Sequence, residues 1–485
     1  MRGTSLREVL FAHGVEFPCG GMGDCLACRV KLLEGNIPLD NVQQRNLTQP
    51  LLDGGWRLAC CSTAEEDIVL ELAQWEGRIL IDDSRFDFTP RSGLGVAVDL
   101  GTTTIAAQLL DFQTANVLAV ETAFNAQAKY GSDVMSRINL AVAQGKATEI
   151  RHAIRRQIGE MIVALLRSAG TSGDAILEVA IVGNTAMHHL FCGLDPEPLS
   201  RYPFTPTDPA EKRFVADDLG WSAIPSASVR FVECVGGFVG SDLLAGARAC
   251  RLHESDELVG LIDLGTNGEI IIGNRNRLVC CSTAAGPAFE ASNISMGMRA
   301  VSGAITQVRA ESGVFVCRVA GGGEPRGICG SGIVDAVAAA LDLGAITPTG
   351  KIVGTESQLT LSAPVAISQR DIRQVQLAKA AVAAGVRILL DTLGASVQDL
   401  KKVYLAGAFG NYVNRLSANR IGLLPVSPNL VHPAGNTALL GAKMFLFDTE
   451  IPDESPLVHH IQHIPLSAHP RFREVFVEEM EFPGV

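Results

Sequence analysis

The chain has 485 residues, 49 glycines and a net charge of −12, and 47% of its residues are hydrophobic. A chain of this length exceeds a single hydrophobic core, so we expect two or more domains of α/β character. The negative charge argues against nucleic acid or an anionic membrane as the main partner, since both need a basic surface. The sequence lacks the pattern of a signal peptide, and charges or glycines interrupt its long apolar runs. We therefore expect a cytoplasmic protein without a membrane span.

Five of the twelve cysteines fall within the first 61 residues, three of them in the run CGGMGDCLAC. Clustered cysteines in a large chain of this kind indicate metal or redox chemistry more often than disulfides. The spacing of Cys19, Cys25 and Cys28 is close to that of a ferredoxin loop, whose fourth ligand comes from elsewhere in the chain. Cys60 and Cys61, side by side in RLACCST, are both candidates for it. If this run is extended, their side chains point to opposite faces, and spacing alone does not choose between them.

A polar, charged run, GRILIDDSRFDFTPRSG, predicts a linker at residues 77–93 after a first domain at residues 1–76. Two further units are expected at residues 94–255 and 256–485, the second with a carboxy-terminal tail. They begin alike, with VAVDLGTTTIAAQLLD and GLIDLGTNGEIIIGN. Each of these stretches is typical of a β-hairpin, and their recurrence predicts a duplicated domain.

The two hairpins offer groups that suit nucleotide phosphates and a metal ion. Asp99 and Asp263 supply carboxylates for Mg²⁺ or for an attacking water, and the glycines allow backbone N–H groups to approach phosphate. We expect these two aspartates to be catalytic, with their separate roles left open. The nucleotide-binding residues expected around them are Gly101, Thr102, Thr103 and Thr104 in the first hairpin and Gly265, Thr266, Asn267 and Gly268 in the second.

A third element, KKVYLAGAFGNYVN, runs from an apolar strand through a glycine-rich turn into a predicted helix. Gly407 and Gly410 would let the backbone approach an adenosine, with Ala408 between them and Phe409 or Asn411 nearby. Alone, this pattern is weak evidence, because a strand, a glycine and a helix often follow one another for packing reasons.

Two further polar residues stand at predicted helix starts. Asn184 in VGNTAM and Asp242 in GSDLLAG are each expected to cap a helix. A place at the cleft, in contact with ligand or as a further acid, is the alternative for both.

The run CGGMGDCLACRVKLLEG followed by GWRLACCS resembles a 2Fe–2S ferredoxin domain of adrenodoxin-like spacing. The resemblance implies that Cys19, Cys25, Cys28 and Cys60 are the cluster ligands and that Cys61 is a neighbour. It also implies a β-grasp fold. Because the sequence starts almost at the predicted helix TSLREVLFAHGV, we expect either that the start is truncated or mis-assigned or that the β-grasp sheet is reduced.

The two hairpins and the glycine-rich turn, in this order, resemble the acetate-kinase, sugar-kinase, heat-shock chaperone and actin ATPase superfamily. The expected fold class is therefore an α+β ferredoxin-like domain followed by a duplicated α/β RNase-H-like ATPase. The runs NAQAKYGSDVMSRI, VGGFVGSD, GICGSGIVDAV and AGAFGNYVN narrow the resemblance to the reductive activators of corrinoid proteins, over nearly the whole chain.

This resemblance implies an ATP-hydrolysing electron-transfer enzyme that carries a 2Fe–2S cluster and uses ATP and Mg²⁺. Its cluster would reduce the cob(II)alamin of a corrinoid protein in a methyltransferase system to cob(I)alamin. The alternatives are an activator of a radical dehydratase, a small-molecule kinase with a regulatory cluster, and a nonenzymatic ATP-switched binding module. Dehydratase activators hold their cluster with cysteines inside the ATPase domain, so the amino-terminal loop disfavours that alternative. The electron donor and the oligomeric state, with a homodimer as one option, stay open.

Overall fold

The computed structural model of the protein describes residues 3–12, 28–47, 49–72, 86–131, 133–265, 267–291, 293–298, 300–448 and 456–484.

The amino-terminal residues form two small antiparallel sheets and three short helices. In chain order the elements are β1 (Thr4–Ser5), α1 (Leu6–Ala12), β2 (Arg29–Glu34), α2 (Asn41–Asn46), α3 (Gln49–Asp53), β3 (Trp56–Leu58), β4 (Thr63–Ala64) and β5 (Val69–Leu72). β1 pairs with β4, and β2 lies between β3 and β5. Leu6, Val30, Leu58 and Cys28 form the centre of a small core between these elements. The described part of this domain therefore combines small antiparallel sheets with short helices, as an α+β domain does.

A first lobe follows, built on a six-stranded sheet. Its elements are β6 (Leu94–Leu100), β7 (Thr104–Asp111), β8 (Val117–Phe124), α4 (Val134–Ala143), α5 (Ala147–Ala169), β9 (Ile176–Gly183), α6 (Thr185–Cys192), β10 (Lys212–Val215), β11 (Ser228–Phe231) and α7 (Ser241–Ala249). The strand order is β10-β11-β9-β6-β7-β8, with an antiparallel meander of β6, β7 and β8 and parallel pairing of β6, β9 and β11. Helix α5 buries one apolar face against this sheet, as its helical periodicity predicts.

The second lobe repeats this sheet and adds to it. Its elements are β12 (Val259–Leu264), β13 (Gly268–Asn274), β14 (Arg277–Thr283), β15 (Ala304–Glu311), β16 (Val314–Val319), β17 (Gly327–Ile328), α8 (Gly330–Asp342), β18 (Gln358–Ser362), β19 (Val365–Ser368), α9 (Gln369–Leu393), β20 (Lys402–Ala406), α10 (Gly407–Gly410), α11 (Arg415–Arg420), β21 (Val431–Gly435), α12 (Thr437–Leu446), α13 (Pro456–His459), β22 (Ile461–His463) and α14 (Phe472–Glu478). The strand order is β21-β20-β12-β13-β14-β22. A meander of three strands again continues into two parallel strands, β20 and β21, so the predicted duplication is confirmed.

Helices α7 and α12 cross between the two sheets. Their apolar side chains join a core that includes Ala97 and Ala180 of the first sheet and Leu261 and Ile271 of the second. The helices are in backbone contact at Gly441, where an added Cβ would lie 2.1 Å from the carbonyl oxygen of Ala245. This contact requires glycine, because any side chain would push the helices apart.

Although α12 follows the last parallel strand of the second lobe, its carboxyl end is held by one residue of the first lobe and by one from the segment that leads into that lobe. Arg91 Nη2 donates to the carbonyl of Leu446 at 2.7 Å, and Arg230 donates to that of Phe445. Arginines at this end satisfy free carbonyl groups and complement the helix dipole. Helix α12 therefore links the two lobes.

Candidate functional site

Asp99 lies near the carboxyl end of β6, one residue before the turn of the first hairpin. Protein atoms surround the carboxylate of Asp99, although the residue as a whole is only half-buried. Burial raises the pKa of Asp99 to about 6, and a hydrogen bond from Asn436 opposes this rise. Asn436 Nδ2 donates to Asp99 Oδ2 at 2.8 Å. The first predicted catalytic carboxylate is thus held by a residue of the second lobe.

Asp263 occupies the equivalent position on β12. Its neighbours in the sheet are Glu269 on β13, directly opposite, and Ala406 on β20. Side chains of such an antiparallel pair lie on the same face, so two carboxylates are forced together. Burial, followed by the charges of Asp242 and Asp99, raises the pKa of Asp263 to about 7. The pKa of Glu269 is raised well above its usual value, mainly by burial.

Asp242 is a fourth acid in this group. The N-cap of α7 is Gly240, so Asp242 lies inside the first turn, and the expectation that it caps the helix is wrong. Gly240 starts the helix earlier because it packs on the backbone of the first lobe, with an added Cβ 2.1 Å from the carbonyl oxygen of Gly183. Asp242 Oδ1 accepts the N–H of Leu243 at 2.8 Å. Burial, with the charge of Asp99 also contributing, raises the pKa of Asp242 to about 7.

Besides burial, the charge of Asp99 raises the pKa of Asp242 and Asp263, and the charges of Asp242 and Asp263 raise that of Glu269, the expected effect of like charges gathered in one buried site. Within the described ranges, no three histidine, cysteine or acidic side chains stand close enough to hold a metal ion by themselves. Mg²⁺ commonly binds through one or two carboxylates, several waters and the phosphates of its nucleotide. The donor set fits that kind of site better than a metal cage made only of protein ligands.

The turn of the first hairpin is held by two asparagines. Asn125 donates from Nδ2 to the carbonyl of Gly101 at 2.8 Å and from its backbone N–H to the carbonyl of Thr103 at 2.9 Å. Asn184 Nδ2 donates to Thr102 Oγ1 at 2.9 Å, while its Oδ1 caps α6, the predicted role. Thr104 begins β7 with an exposed side chain. These bonds fix the loop beside Asp99.

The second hairpin closes with a hydrogen bond from the N–H of Gly265 to the carbonyl of Asn267 at 3.0 Å. Gly268 begins β13, and its carbonyl accepts a bond from Thr283 Oγ1 at 3.0 Å. Thr266 lies outside the described residues. The turn thus follows Asp263 as the first turn follows Asp99.

The glycine-rich turn meets the second hairpin directly. Gly407 has a φ of +84° and leaves no room for a side chain, since an added Cβ would lie 2.5 Å from Asp263 Oδ1. Gly410 ends the short helix α10. Phe409 is buried, its ring stacked on that of Phe289 at 4.9 Å, so it belongs to the core. The side chain of Ala408 lies outside the described part of the structure.

The predicted cluster ligands lie partly within the described residues. Cys28 is buried, and its carbonyl accepts the N–H of Ala59 at 3.1 Å, which brings the turn carrying Cys60 and Cys61 against it. Cys19 and Cys25 lie outside the described residues. A thiol beside a second cysteine-bearing turn suits a cluster held by ligands from two segments.

The run RLACCST is not extended throughout, so the condition under which Cys60 and Cys61 would point to opposite faces is not met. Ala59–Cys61 forms a 3₁₀ turn after β3, and Ser62 Oγ secures it by donating to the carbonyl of Leu58 at 2.8 Å. The Sγ atoms of Cys60 and Cys61 consequently lie 3.5 Å apart instead of on opposite faces of a strand.

Sequence reasoning missed Asn436 although a signal exists. The tetrapeptide Gly-Asn-Thr-Ala occurs twice, at residues 183–186 and 435–438. In both copies the asparagine caps a helix through Oδ1 and donates from Nδ2 to the first hairpin, Asn184 to Thr102 and Asn436 to Asp99. Asn125 was also missed as the residue that bridges the first turn.

Taken together, these features define a class: a duplicated RNase-H-like fold of the actin and sugar-kinase type, with acidic hairpins at its centre and an amino-terminal domain that presents paired cysteine segments. Within the described ranges no helix has both the length and the apolar character needed to cross a membrane.

Comparison with known proteins narrows this class. Family models match at residues 2–65 (2Fe-2S iron-sulfur cluster binding domain), 94–255 (RACo middle region) and 257–485 (C-terminal domain of RACo, the ASKHA domain). The corrinoid activation enzyme RamQ of Eubacterium limosum is 33% identical over 420 residues, which cover 80% of this chain and 70% of that protein. The Co(II) methylated amine-specific corrinoid protein reductase of Methanosarcina barkeri is 26% identical over 425 residues, covering 80% and 77%.

The solved structure of a reductive activator for corrinoid, iron-sulfur protein is similar to the whole chain. It superposes with a TM-score of 0.70 at 27% identity and covers 100% of this chain and 96% of its own. The chain belongs to the RACo family, and its fold is the ferredoxin-plus-ASKHA fold that the sequence predicts.

Proposed function

We propose that this protein couples ATP hydrolysis to reduction of the Co(II) centre of a corrinoid protein in a methyltransferase system. One observation carries the proposal. The same chain holds a cysteine turn packed against a second cysteine segment and, further on, two hairpins that together with helix α7 gather four carboxylates. The relatives named as corrinoid activators and reductases support the choice of partner.

The chain's own residues provide the hydrolytic site. Asp99 and Asp263, one on each lobe, would bind Mg²⁺ and orient the attacking water, while the backbone N–H groups of both turns would bind the phosphates. The backbone of residues 407–410 would lie against the adenosine, because Gly407 has no side chain and packs its backbone directly against Asp263, and the ring of Phe409 belongs to the core. Mg²⁺ would screen the mutual repulsion of the carboxylates.

The ligands we propose for the 2Fe–2S cluster are Cys19, Cys25, Cys28 and Cys60. The cluster supplies one-electron transfer at a potential of roughly −400 mV. The residues around Cys28 form a small apolar core that limits water access on one side. Cysteine thiols stay reduced in the cytoplasm, so we place cluster binding and the reaction there.

Energy from ATP is needed because the acceptor is reduced only at low potential. Each 100 mV of uphill transfer costs about 2.3 kcal/mol per electron, a cost that a nucleotide-dependent change of state can offset. Helix α12, which links the two lobes, would transmit such a nucleotide-dependent change from one lobe to the other. We propose the domain division 1–76, 94–255 and 256–485 for these two activities, with residues 77–93 between them.

The test combines cluster-loaded protein, a Co(II) corrinoid protein from a methyltransferase system and a low-potential reductant. We expect Co(I) absorbance to appear with ATP and to be much weaker without it or with a nonhydrolysable analogue. Cys60→Ser should keep ATP hydrolysis and lose reduction, and Asp263→Asn should keep the cluster and lose the ATP effect. Phosphate transfer to a metabolite without Co(I) formation would instead show a kinase.

A further inference from the structure

Asn436 joins the two lobes at the carboxylate of Asp99. It is the N-cap of α12, and its Oδ1 accepts the N–H of Leu439 at 2.8 Å. Its Nδ2 donates to Asp99 Oδ2 at 2.8 Å, although the two residues are 337 positions apart in sequence. Because the amide oxygen is committed to the helix, only the NH₂ group can face Asp99. The two bonds together fix the orientation of the amide.

The helix that carries Asn436 is anchored to the first lobe. Arg230 of β11 donates to the carbonyl of Phe445 near its carboxyl end, and Arg91, just before the first lobe, donates to that of Leu446. Arg248 of α7 makes two charged hydrogen bonds to Asp448, at 2.5 and 2.6 Å, just beyond it. A bidentate pair of this kind resists rotation as well as separation. Asn436 therefore has little freedom to move away from Asp99 while α12 stays in place.

On its other side Asn436 is connected to the glycine-rich turn. The N–H of Gly435, the preceding residue, donates to Asn411 Oδ1 at 3.1 Å. Asn411 directly follows the turn at residues 407–410, which we propose as the adenosine site. A continuous path of bonded groups thus leads from that turn through Gly435 and Asn436 to Asp99.

We propose that Asn436 is a positioning residue for ATP hydrolysis. It holds Oδ2 of Asp99 in one orientation and so leaves Oδ1 for the metal ion or the attacking water. Through Asn411 and Gly435 it also ties the position of that carboxylate to the nucleoside end of the site. This inference rests on the ATP hydrolysis proposed above, but it concerns the hydrolytic step alone.

Two variants separate the contact with Asp99 from helix capping. Asn436→Ser keeps an oxygen that caps the helix but loses the amide NH₂. Asn436→Asp keeps the cap and the size of the side chain but places a second carboxylate against Asp99. For both we expect kcat for ATP hydrolysis to fall about tenfold or more, since small misplacements of catalytic groups have effects of this size. The KM for ATP should change by less than about threefold, and the melting temperature should stay near that of the wild type.

Asn414 provides the matched control. It caps α11 through Oδ1, which accepts the N–H of Leu416 at 3.0 Å, outside the two hairpins. Asn414→Asp makes the same chemical change at a helix start and should leave kcat unchanged.

Wild-type kcat in Asn436→Ser, alongside loss of hydrolysis in Asp263→Asn, would overturn the positioning role and leave the proposed function intact. The positioning role would also be overturned if Asn436→Ser and Asn436→Asp changed kcat, KM and melting temperature as much as Asn436→Ala does. Loss of the helix cap alone would then explain the result. If the wild type hydrolyses ATP but never reduces a corrinoid protein, the proposed function fails, and the loss of kcat in the two variants still supports the role of Asn436.

Discussion

Replacing Gly441 with alanine tests whether the backbone contact between α7 and α12 holds the lobes together. The added methyl carbon would lie 2.1 Å from the carbonyl oxygen of Ala245, and two further backbone atoms lie within 2.5 Å of it. Non-bonded heavy atoms reach their best separation at about 3.5 Å, so the helices would have to move apart by roughly 1 Å.

Two opposing effects decide the sign of the change in stability. Alanine is the better helix former by about 1 kcal/mol, which would stabilise the variant. Forcing extra volume into a close-packed contact costs about 1–3 kcal/mol and often more when the clash is with backbone atoms. We therefore expect a net loss of about 2 kcal/mol in the free energy of unfolding, a lowering of the melting temperature by about 4–8 °C for lobes of this size.

The assay is thermal unfolding of the full chain, followed by circular dichroism at fixed pH and salt. Gly260→Ala is the control, because the nearest atom to its added Cβ lies 3.5 Å away, an ordinary contact. That variant should melt at or slightly above the wild-type temperature. If Gly441→Ala also melts at or above the wild-type temperature, helix propensity has outweighed the clash, and the contact does not set the spacing of the helices.

Three further predictions concern the site. Cys60→Ser should abolish most of the visible absorbance of the cluster, whereas Cys61→Ser should leave most of it; equal losses would refute the ligand choice. In the metal-free protein the raised pKa of Asp263, about 7, means that the folded state binds a proton that the unfolded state releases. Stability should therefore decline as pH rises from about 4 to about 7, and Asp263→Asn should flatten the decline seen in melting temperature. Gly407→Ala should lower ATPase activity about tenfold or more, because it combines a positive φ with a clash on Asp263; wild-type turnover would show that the turn is not part of the site.

The features that the sequence predicted correctly are those specified within a short stretch of chain. An apolar run, Asp-Leu-Gly-Thr and a second apolar run specify a hairpin, and both hairpins formed where expected. The sequence left open whether the run RLACCST is extended, and a distant residue contributes to the turn that it forms. The N–H of Leu58 donates to Gln43 Oε1 at 3.0 Å, and Ser62 then turns the chain back on Leu58. Successive side chains point to opposite faces only along an uninterrupted strand.

The features that sequence reasoning missed depend on which lobe an element contacts, which the order of the chain does not specify. By sequence, α12 belongs to the second lobe, and nothing in its apolar pattern shows that its carboxyl end is held by Arg230 of the first lobe and by Arg91, just before that lobe. The repeated Gly-Asn-Thr-Ala could have directed attention to Asn436, since each asparagine starts a helix and has an amide NH₂ left over. A capping asparagine uses only its oxygen for the helix, so its NH₂ group can also donate to an acceptor nearby. At residue 184 that acceptor is Thr102, and at residue 436 it is the catalytic candidate Asp99.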